Sequence, residues 1–189
     1  MIILSSHRFA KTARILAMLT GVLFLAGCTN IPDGIEPIDD FNITKYLGQW
    51  YEIARLDHSF ERGLSEVTAF YELRNDGGVK VINQGYSVEN QSWDVAEGKA
   101  YFVSDANKGH LKVSFFGPFY GSYVIFELDK NYQYAFVTGP NKKYLWLLSR
   151  SPNLDPQIEN KFVKTARKNG YNIDDLIFVE HSTNPENVR

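Results

Sequence analysis

The sequence predicts an all-β fold of about eight short antiparallel strands, followed by one helix. Three observations carry this prediction. Apolar and polar residues alternate with a period of two across residues 50–150, as is typical of half-buried strands. Turn-forming residues separate the alternating runs at short intervals. After Arg150 the apolar spacing becomes that of a helix.

The strands follow one another through hairpin turns. The first begins at Trp50, and the turn at residues 75–78, Asn-Asp-Gly-Gly, supplies the positive backbone angles of a tight hairpin. The runs after Trp50 are residues 67–73, 79–83, 95–103, 111–116, 122–128, 134–138 and 144–150, with a short one at 173–179. Eight such strands form either a sandwich or a closed barrel, and periodicity does not choose between them.

Two further features favour the barrel. An amphipathic helix begins at Asp155 and Pro156 and ends at Asn169 and Gly170, and we expect it to pack outside the sheet. Upstream, residues 42–47 predict a single turn that closes the barrel floor.

The first 27 residues predict an export signal rather than part of the fold. A basic start precedes the uncharged run 15–26, which is too short to span a bilayer comfortably. Leu-Ala-Gly then precedes Cys28, the sole cysteine, and this sequence resembles the bacterial lipobox, whose cysteine is acylated and becomes the mature N-terminus. The alternative is an ordinary signal peptide with an accidental cysteine. In the lipoproteins that this motif resembles, the absence of Asp directly after the cysteine favours the outer membrane.

These patterns divide the chain into a signal peptide at 1–27, a lipidated tether at 28–40, a barrel domain with its helix at 41–180 and a tail at 181–189. Removing the signal takes away Arg8, Lys11 and Arg14 and no acid, which leaves 17 basic against 22 acidic side chains. We expect no nucleic-acid partner, because no basic stripe remains. With no second cysteine there is no internal disulfide, so stability must come from the core.

Five segments carry a resemblance to a known family. They are Gly48-x-Trp50-Tyr51, residues 57–64, residues 114–121, residues 136–140 and Arg150. Together they are similar to the lipocalins, in particular the bacterial outer-membrane lipoprotein lipocalins related to apolipoprotein D. Residues 136–140 lie where the second family signature is expected, although its frequent Thr-Asp-Tyr is absent. The resemblance implies an eight-stranded antiparallel up-and-down barrel with the helix outside.

The same resemblance assigns a structural role to Trp50, Arg150 and Gly48. We expect Trp50 to plug the narrow end of the barrel, with the Arg150 guanidinium across its ring and donating to chain-end carbonyls. Gly48 allows the tight turn into the first strand.

The ligand site is predicted from the inward face. If Arg150 points inward, residues 148, 146 and 144 share its face, and the same parity carries Glu52 and Ala54 inward from Trp50. In the resembled lipocalins, the positions that match Tyr120 and Trp146 face lipid. The predicted ligand-binding residues are Trp146, Tyr120, Tyr144, Ala54 and Phe126. The alternatives are a solid aromatic core and, for Tyr120, a rim position without a ligand. Arg55 and Arg62 are expected at the solvated surface.

The resemblance implies a binding protein without cofactor or metal, which holds a fatty acid or lysophospholipid for storage or transport in membrane maintenance, including under stress. We expect it on the periplasmic face of the outer membrane through its lipid anchor, and a homodimer remains open. The histidines lack metal-ligand spacing and no Gly-x-Ser-x-Gly motif occurs, so an enzyme is disfavoured. An inward Glu52 is read as a buried hydrogen-bonded carboxyl rather than a catalytic base. The alternatives are an envelope docking lipoprotein with a vestigial pocket and a lipid-modifying enzyme.

Overall fold

A computed structural model of the chain describes residues 29–182. The predictions for the signal peptide, for Cys28 and for most of the tail lie outside these residues. The strands are β1 Gly48–Leu56, β2 Leu64–Leu73, β3 Val79–Ser87, β4 Ser92–Phe102, β5 His110–Ser114, β6 Gly121–Leu128, β7 Tyr134–Thr138, β8 Leu145–Ser149 and β9 Leu176–Phe178. The helices are α1 Ile43–Tyr46, α2 Pro156–Lys168 and a 3-10 turn at Ile173–Asp175.

The first eight strands close into an antiparallel barrel. Each strand pairs with its neighbour in sequence from β2 to β8, and β1 pairs with both β8 and β2. Closure satisfies the backbone groups that an open sheet would leave at its edges. β9 adds to β1 beyond the point where β1 and β2 part. The predicted eight-stranded barrel is confirmed, and so is the short strand after the helix.

Two apolar clusters lie on the two faces of the barrel wall. The inner cluster includes Trp50, and the outer cluster lies between the wall and α2. The helix begins as predicted, because Asp155 caps it by accepting from the Gln157 N–H and Pro156 occupies its first turn. Its Phe162 is fully buried, with its ring 5.0 Å from that of Phe136. The outside position predicted for the helix is therefore confirmed.

A β-bulge in β1 reverses the side-chain parity of this strand. Glu52 pairs with Leu148, but Ala54 pairs with Leu147, so the extra residue Ile53 interrupts the alternation. Ala54 consequently lies in the outer cluster, and Arg55 is buried at 1% exposure. The inward position predicted for Ala54 is wrong, and so is the solvated position predicted for Arg55.

Phe126 also lies outside the barrel. Its ring packs edge-on against Phe136, 6.1 Å between centroids, within the outer cluster under α2. The inner residues of β6 are Tyr123 and Ile125. Both faces of β6 are apolar because one meets the cavity and the other meets the helix. Alternation could therefore not select the inner one, and the cavity position predicted for Phe126 is wrong.

The segment before α1 packs on the barrel wall instead of hanging free. Ile35 is buried in the outer cluster. The Ile38 N–H donates to the Ile125 carbonyl at 2.9 Å, and the Gly109 N–H donates to the Ile38 carbonyl at 2.9 Å. Any tether to a membrane must therefore be shorter than the whole of residues 28–40. No helix within residues 29–182 is long and apolar enough to span a bilayer.

Candidate functional site: a cavity open at one end

The floor of the barrel is sealed by Trp50 and Arg150. Trp50 is fully buried, and its indole N–H donates to the Tyr46 carbonyl at 2.8 Å. The Arg150 guanidinium carbon lies 4.0 Å from the centre of the Trp50 ring. The same guanidinium donates to the carbonyls of Gln49, Lys45 and Leu47 at 2.7–2.9 Å. The predicted cation–π plug is confirmed, with chain-end carbonyls holding its cation in place.

Gly48 enters β1 as predicted. Its φ of +88° lies in the left-handed region, which a residue with a side chain adopts only under strain.

Three tyrosines lie directly above the floor. The hydroxyl of Tyr123 is 2.7 Å from that of Tyr46 and 2.9 Å from that of Tyr71. Burial raises the pKa of all three hydroxyls, so they remain neutral. Two bonds among three hydroxyls leave one O–H donor over, so the tyrosines offer ring carbon and one hydroxyl hydrogen to their surroundings.

The barrel interior above the tyrosines is hollow. A cavity of about 640 Å³ runs from these rings to the open end, within the range of about 300–1,000 Å³ usual for ligand pockets. Its wall is mainly apolar, and the inner residues of several strands contribute to it: Val67, Ala69, Val79, Val81, Ala100, Leu111, Val113, Trp146 and Leu148. The interior is therefore not the solid aromatic core that the sequence left open.

Three of the five predicted ligand-binding residues border this cavity, namely Trp146, Tyr144 and Tyr120. Trp146 and Leu148 share the inner face of β8 as expected, while Leu145 and Leu147 face the helix. Ala54 and Phe126 lie in the outer cluster. The ligand roles of the three bordering residues stay predictions.

Tyr120 stands at the rim with its ring turned towards the outer wall. Its ring centre is 6.3 Å from that of Tyr101 and 5.3 Å from the Lys112 amine. Tyr101 and Lys112 are not among the residues that line the cavity, so part of the Tyr120 ring packs against the outer wall.

A charged cluster, of which the sequence predicted only the inward Glu52, lies inside the barrel. Glu52 and Glu61 both line the cavity, and Arg55 binds the Glu52 carboxylate at 2.8 Å. Oε2 of Glu61 accepts from the Trp146 indole N–H at 3.1 Å. His58 Nε2 is 3.0 Å from the same oxygen, at an angle too poor for a well-formed hydrogen bond. Residues 57–64 are one of the segments that resemble the bacterial lipocalins, but no feature of the sequence alone predicts that side chains of this loop enter the cavity.

The two carboxyls differ in their electrostatics. Burial, and then the charge of Glu61, raise the pKa of Glu52 well above its ordinary value, against the opposing effect of Arg55. Burial also raises the pKa of Glu61, but His58, Trp146 and Arg55 outweigh it, so the net pKa is lowered. Glu61 is therefore the group that carries the negative charge. Within residues 29–182, no three acidic, histidine or cysteine side chains are arranged to hold a metal ion.

The rim of the open end is aromatic and exposed. Phe60, Phe116 and Phe119 border the cavity and are 62%, 80% and 77% exposed. Large apolar side chains with this exposure at the mouth of an apolar cavity mark a surface that meets apolar material.

Comparisons with known proteins agree with this architecture. The family model of the lipocalin-like domain matches residues 41–181. The outer membrane lipoprotein Blc of Vibrio cholerae is 58% identical over 167 residues, which cover 88% of this chain and 97% of that protein. Blc of Escherichia coli strain K12 is 44% identical, covering 88% of this chain and 95% of that protein.

More distant proteins share the fold. Mouse apolipoprotein D is 29% identical over 90% of this chain and 95% of its own length. The structure of insecticyanin from the tobacco hornworm Manduca sexta superimposes with a TM-score of 0.65 at 22% identity, covering 82% of this chain and 88% of that one. With its closed barrel, its Trp–Arg floor and a family match over most of its length, the chain belongs to the lipocalin family.

Proposed function

We propose that the protein is an outer-membrane lipoprotein that binds a fatty acid or a lysophospholipid in its barrel cavity, for storage or transport in membrane maintenance. The observation that carries this proposal is the apolar cavity of about 640 Å³, closed at Trp50 and open at the phenylalanine rim. A cavity of this shape accepts an alkyl tail below and keeps a polar head group near the mouth.

Burial of an alkyl tail in this cavity supplies enough free energy for lipid binding. Each methylene group withdrawn from water contributes about 0.8 kcal/mol, so a chain of about 16 carbons gains a little over 10 kcal/mol before the loss of freedom on binding. Affinity in the micromolar to nanomolar range follows without a strong polar contact. The head group then adjusts selectivity rather than deciding whether binding occurs.

The proposed location is the periplasmic face of the outer membrane, with Cys28 acylated. It is supported by the lipobox-like sequence before Cys28 and by relatives that are named outer membrane lipoproteins. Several acyl chains on one residue give durable anchoring, whereas one chain gives marginal binding. Replacing Cys28 with Ser should release the protein from the membrane fraction, and a variant that stays in that fraction would contradict the anchor.

We place binding above catalysis. Glu52, the one inward carboxyl singled out as a possible base, accepts a hydrogen bond from Arg55 at 2.8 Å, which supports the interpretation of a buried hydrogen-bonded carboxyl. The open cavity also favours a barrel that binds a lipid over a docking lipoprotein with a vestigial pocket.

Displacement of a fluorescent fatty acid tests the proposal. Trp146→Ala removes a large part of the cavity wall, so we expect affinity to fall roughly ten-fold or more while the fold is retained. Trp93→Ala is the matched control, because Trp93 lies on β4 outside the cavity wall and packs against Tyr86. Equal affinity of wild type and Trp146→Ala would refute a ligand at this wall. A chemically altered lipid would favour an enzyme, and a stable protein partner without lipid would favour docking.

A further inference from the structure

We infer that the open end of the barrel docks on the bilayer that holds the lipid anchor, so that the cavity opens directly against lipid. The contact is made by exposed apolar side chains of three loops at this end: Phe60, Val88, Phe116 and Phe119. The inference rests on the proposed function, because it uses the acyl chains at Cys28. It adds the orientation of the protein on the membrane and a surface role for the rim.

The loop between β5 and β6 is the most exposed apolar part of the rim. Phe116 and Phe119 lie in this loop, and at 80% and 77% they are the two most exposed large apolar side chains within residues 29–182. No charged residue occurs from 113 to 126. At the opposite end of the barrel, Leu73 at the end of β2 is 50% exposed. An uncharged apolar loop is suited to enter the boundary between lipid head groups and acyl chains.

The exposed apolar rim extends beyond the cavity itself. Val88 lies in the turn between β3 and β4, which is at the mouth because β3 runs from the floor towards the open end. Val88 is 63% exposed and does not line the cavity, whereas the three phenylalanines do. A lipid inside the barrel leaves Val88 uncovered. A bilayer across the mouth covers it together with the phenylalanines.

The start of the described chain lies near the same end of the barrel. The His110 imidazole hydrogen-bonds to the backbone of Thr29 and lies 2.9 Å from the Ser122 hydroxyl. Ser122 is the second residue of β6, which runs from the mouth to Leu128 near the floor, roughly 20 Å further along the strand. Cys28 directly precedes Thr29, so its acyl chains begin within one residue, about 4 Å, of this point.

The anchor point and the exposed loop belong to one hairpin. β5 and β6 supply the side chains beside Thr29, and the loop that joins them carries Phe116 and Phe119. A bilayer that holds the lipid anchor therefore meets this loop first. Ile31 and Ile35 pack into the outer cluster, so the chain after the anchor is too short to let the floor turn to the membrane. Docking at the mouth lets an alkyl tail pass between bilayer and cavity without crossing water.

Labels at the two ends of the barrel test this orientation. Phe119→Cys and Val88→Cys each place a thiol at the mouth, and Leu73→Cys places one at the floor as the matched control. The anchor occupies the thiol of Cys28, the sole cysteine, so a polarity-sensitive fluorophore reacts with the introduced thiol. The acylated protein, purified from membranes, is placed in phosphatidylcholine nanodiscs that hold one copy each. Quenching by iodide in the water then measures how far each label is covered.

We expect iodide to quench both mouth labels less than the floor label, by about five-fold or more, because the acyl region excludes an ion. The emission of the mouth labels should also shift to shorter wavelength. Adding Phe116→Ser and Phe119→Ser to Val88→Cys should return its label to the quenching of the floor label, since the loop no longer enters the bilayer.

The outcomes separate the docking from the proposed function. Mouth labels quenched as strongly as the floor label, on protein that stays in the nanodiscs and binds a fluorescent fatty acid, overturn the docking and keep the function. Shielding that appears only when several copies share one membrane assigns the rim to a second copy and also overturns the docking. Protein that leaves the nanodiscs overturns the anchor, and the docking with it.

Discussion

The two ends of the barrel are built from similar residue types but differ in how those residues are satisfied. At the floor, Trp50 is fully buried and every hydrogen bond of the Arg150 plug ends on a backbone carbonyl. At the mouth, Phe60, Phe116 and Phe119 border the cavity and are exposed. Groups that satisfy one another stabilise the fold, whereas apolar side chains left exposed at the mouth of a cavity are available to a ligand.

This difference predicts that mutations at the two ends will have separate effects. Changes at the floor should lower the free energy of unfolding, and changes at the mouth should lower affinity for lipid. A floor variant that alters only binding, or a mouth variant that only unfolds the protein, would show that the two ends do not have separate roles.

The largest expected effect on stability is that of Arg150→Ala. It removes the cation over Trp50 and four bonds to carbonyls, three of them at 2.7–2.9 Å, so we expect a loss of about 2–4 kcal/mol. The melting temperature should fall by roughly 4–16 °C. Arg62→Ala is the control, because its ion pair with Asp57 is exposed to solvent and contributes little to stability. An unaltered melting temperature for Arg150→Ala would mean that the plug contributes nothing to stability.

A smaller effect, on binding alone, is expected at the rim. Tyr120→Ala should weaken lipid binding less than Trp146→Ala does, because the Tyr120 ring packs towards Tyr101 and Lys112. We expect a loss of roughly two- to five-fold in displacement assays, about 0.4–1 kcal/mol. A loss equal to that of Trp146→Ala would show that Tyr120 turns inward when lipid is bound.

The smallest expected effect is on the pH dependence of stability, and it involves a residue at neither end of the barrel. His110 lies on the outer wall, with Nε2 2.9 Å from the Ser122 hydroxyl, and burial lowers its pKa. The unfolded chain therefore takes up a proton near pH 6.5 before the folded one does, so stability falls as the pH drops below that value. Between pH 7.5 and pH 5.5, the free energy of unfolding of the wild type should fall more than that of His110→Gln. The difference between the two falls should be about 1 kcal/mol or less. Identical pH profiles would remove His110 as the cause.

Much of the fold could be predicted from local pattern. The alternating runs predicted the strands, the capping residues around Pro156 predicted α2, and the distant pair Trp50 and Arg150 predicted the floor. Each of these rests on a spacing or a contact that the sequence carries directly.

The errors arise where tertiary structure overrides alternation. A bulge at Ile53 turns Ala54 outward and Arg55 inward, and no residue in β1 signals it. Phe126 was misplaced because β6 is apolar on both faces. The charged cluster was missed because it depends on a loop folding back over the cavity, which brings Glu61 to Trp146, 85 positions away.

The proposed function requires a hollow barrel that holds one lipid. Native mass spectrometry of the full chain, purified from membranes without added lipid, detects such a lipid by its mass. We predict a protein mass increased by one single-tailed lipid, which is released on unfolding and identified as a lysophospholipid or fatty acid. Protein whose mass shows no bound lipid, and which takes up none when single-tailed lipids are added, would mean that the cavity is not a lipid-binding site.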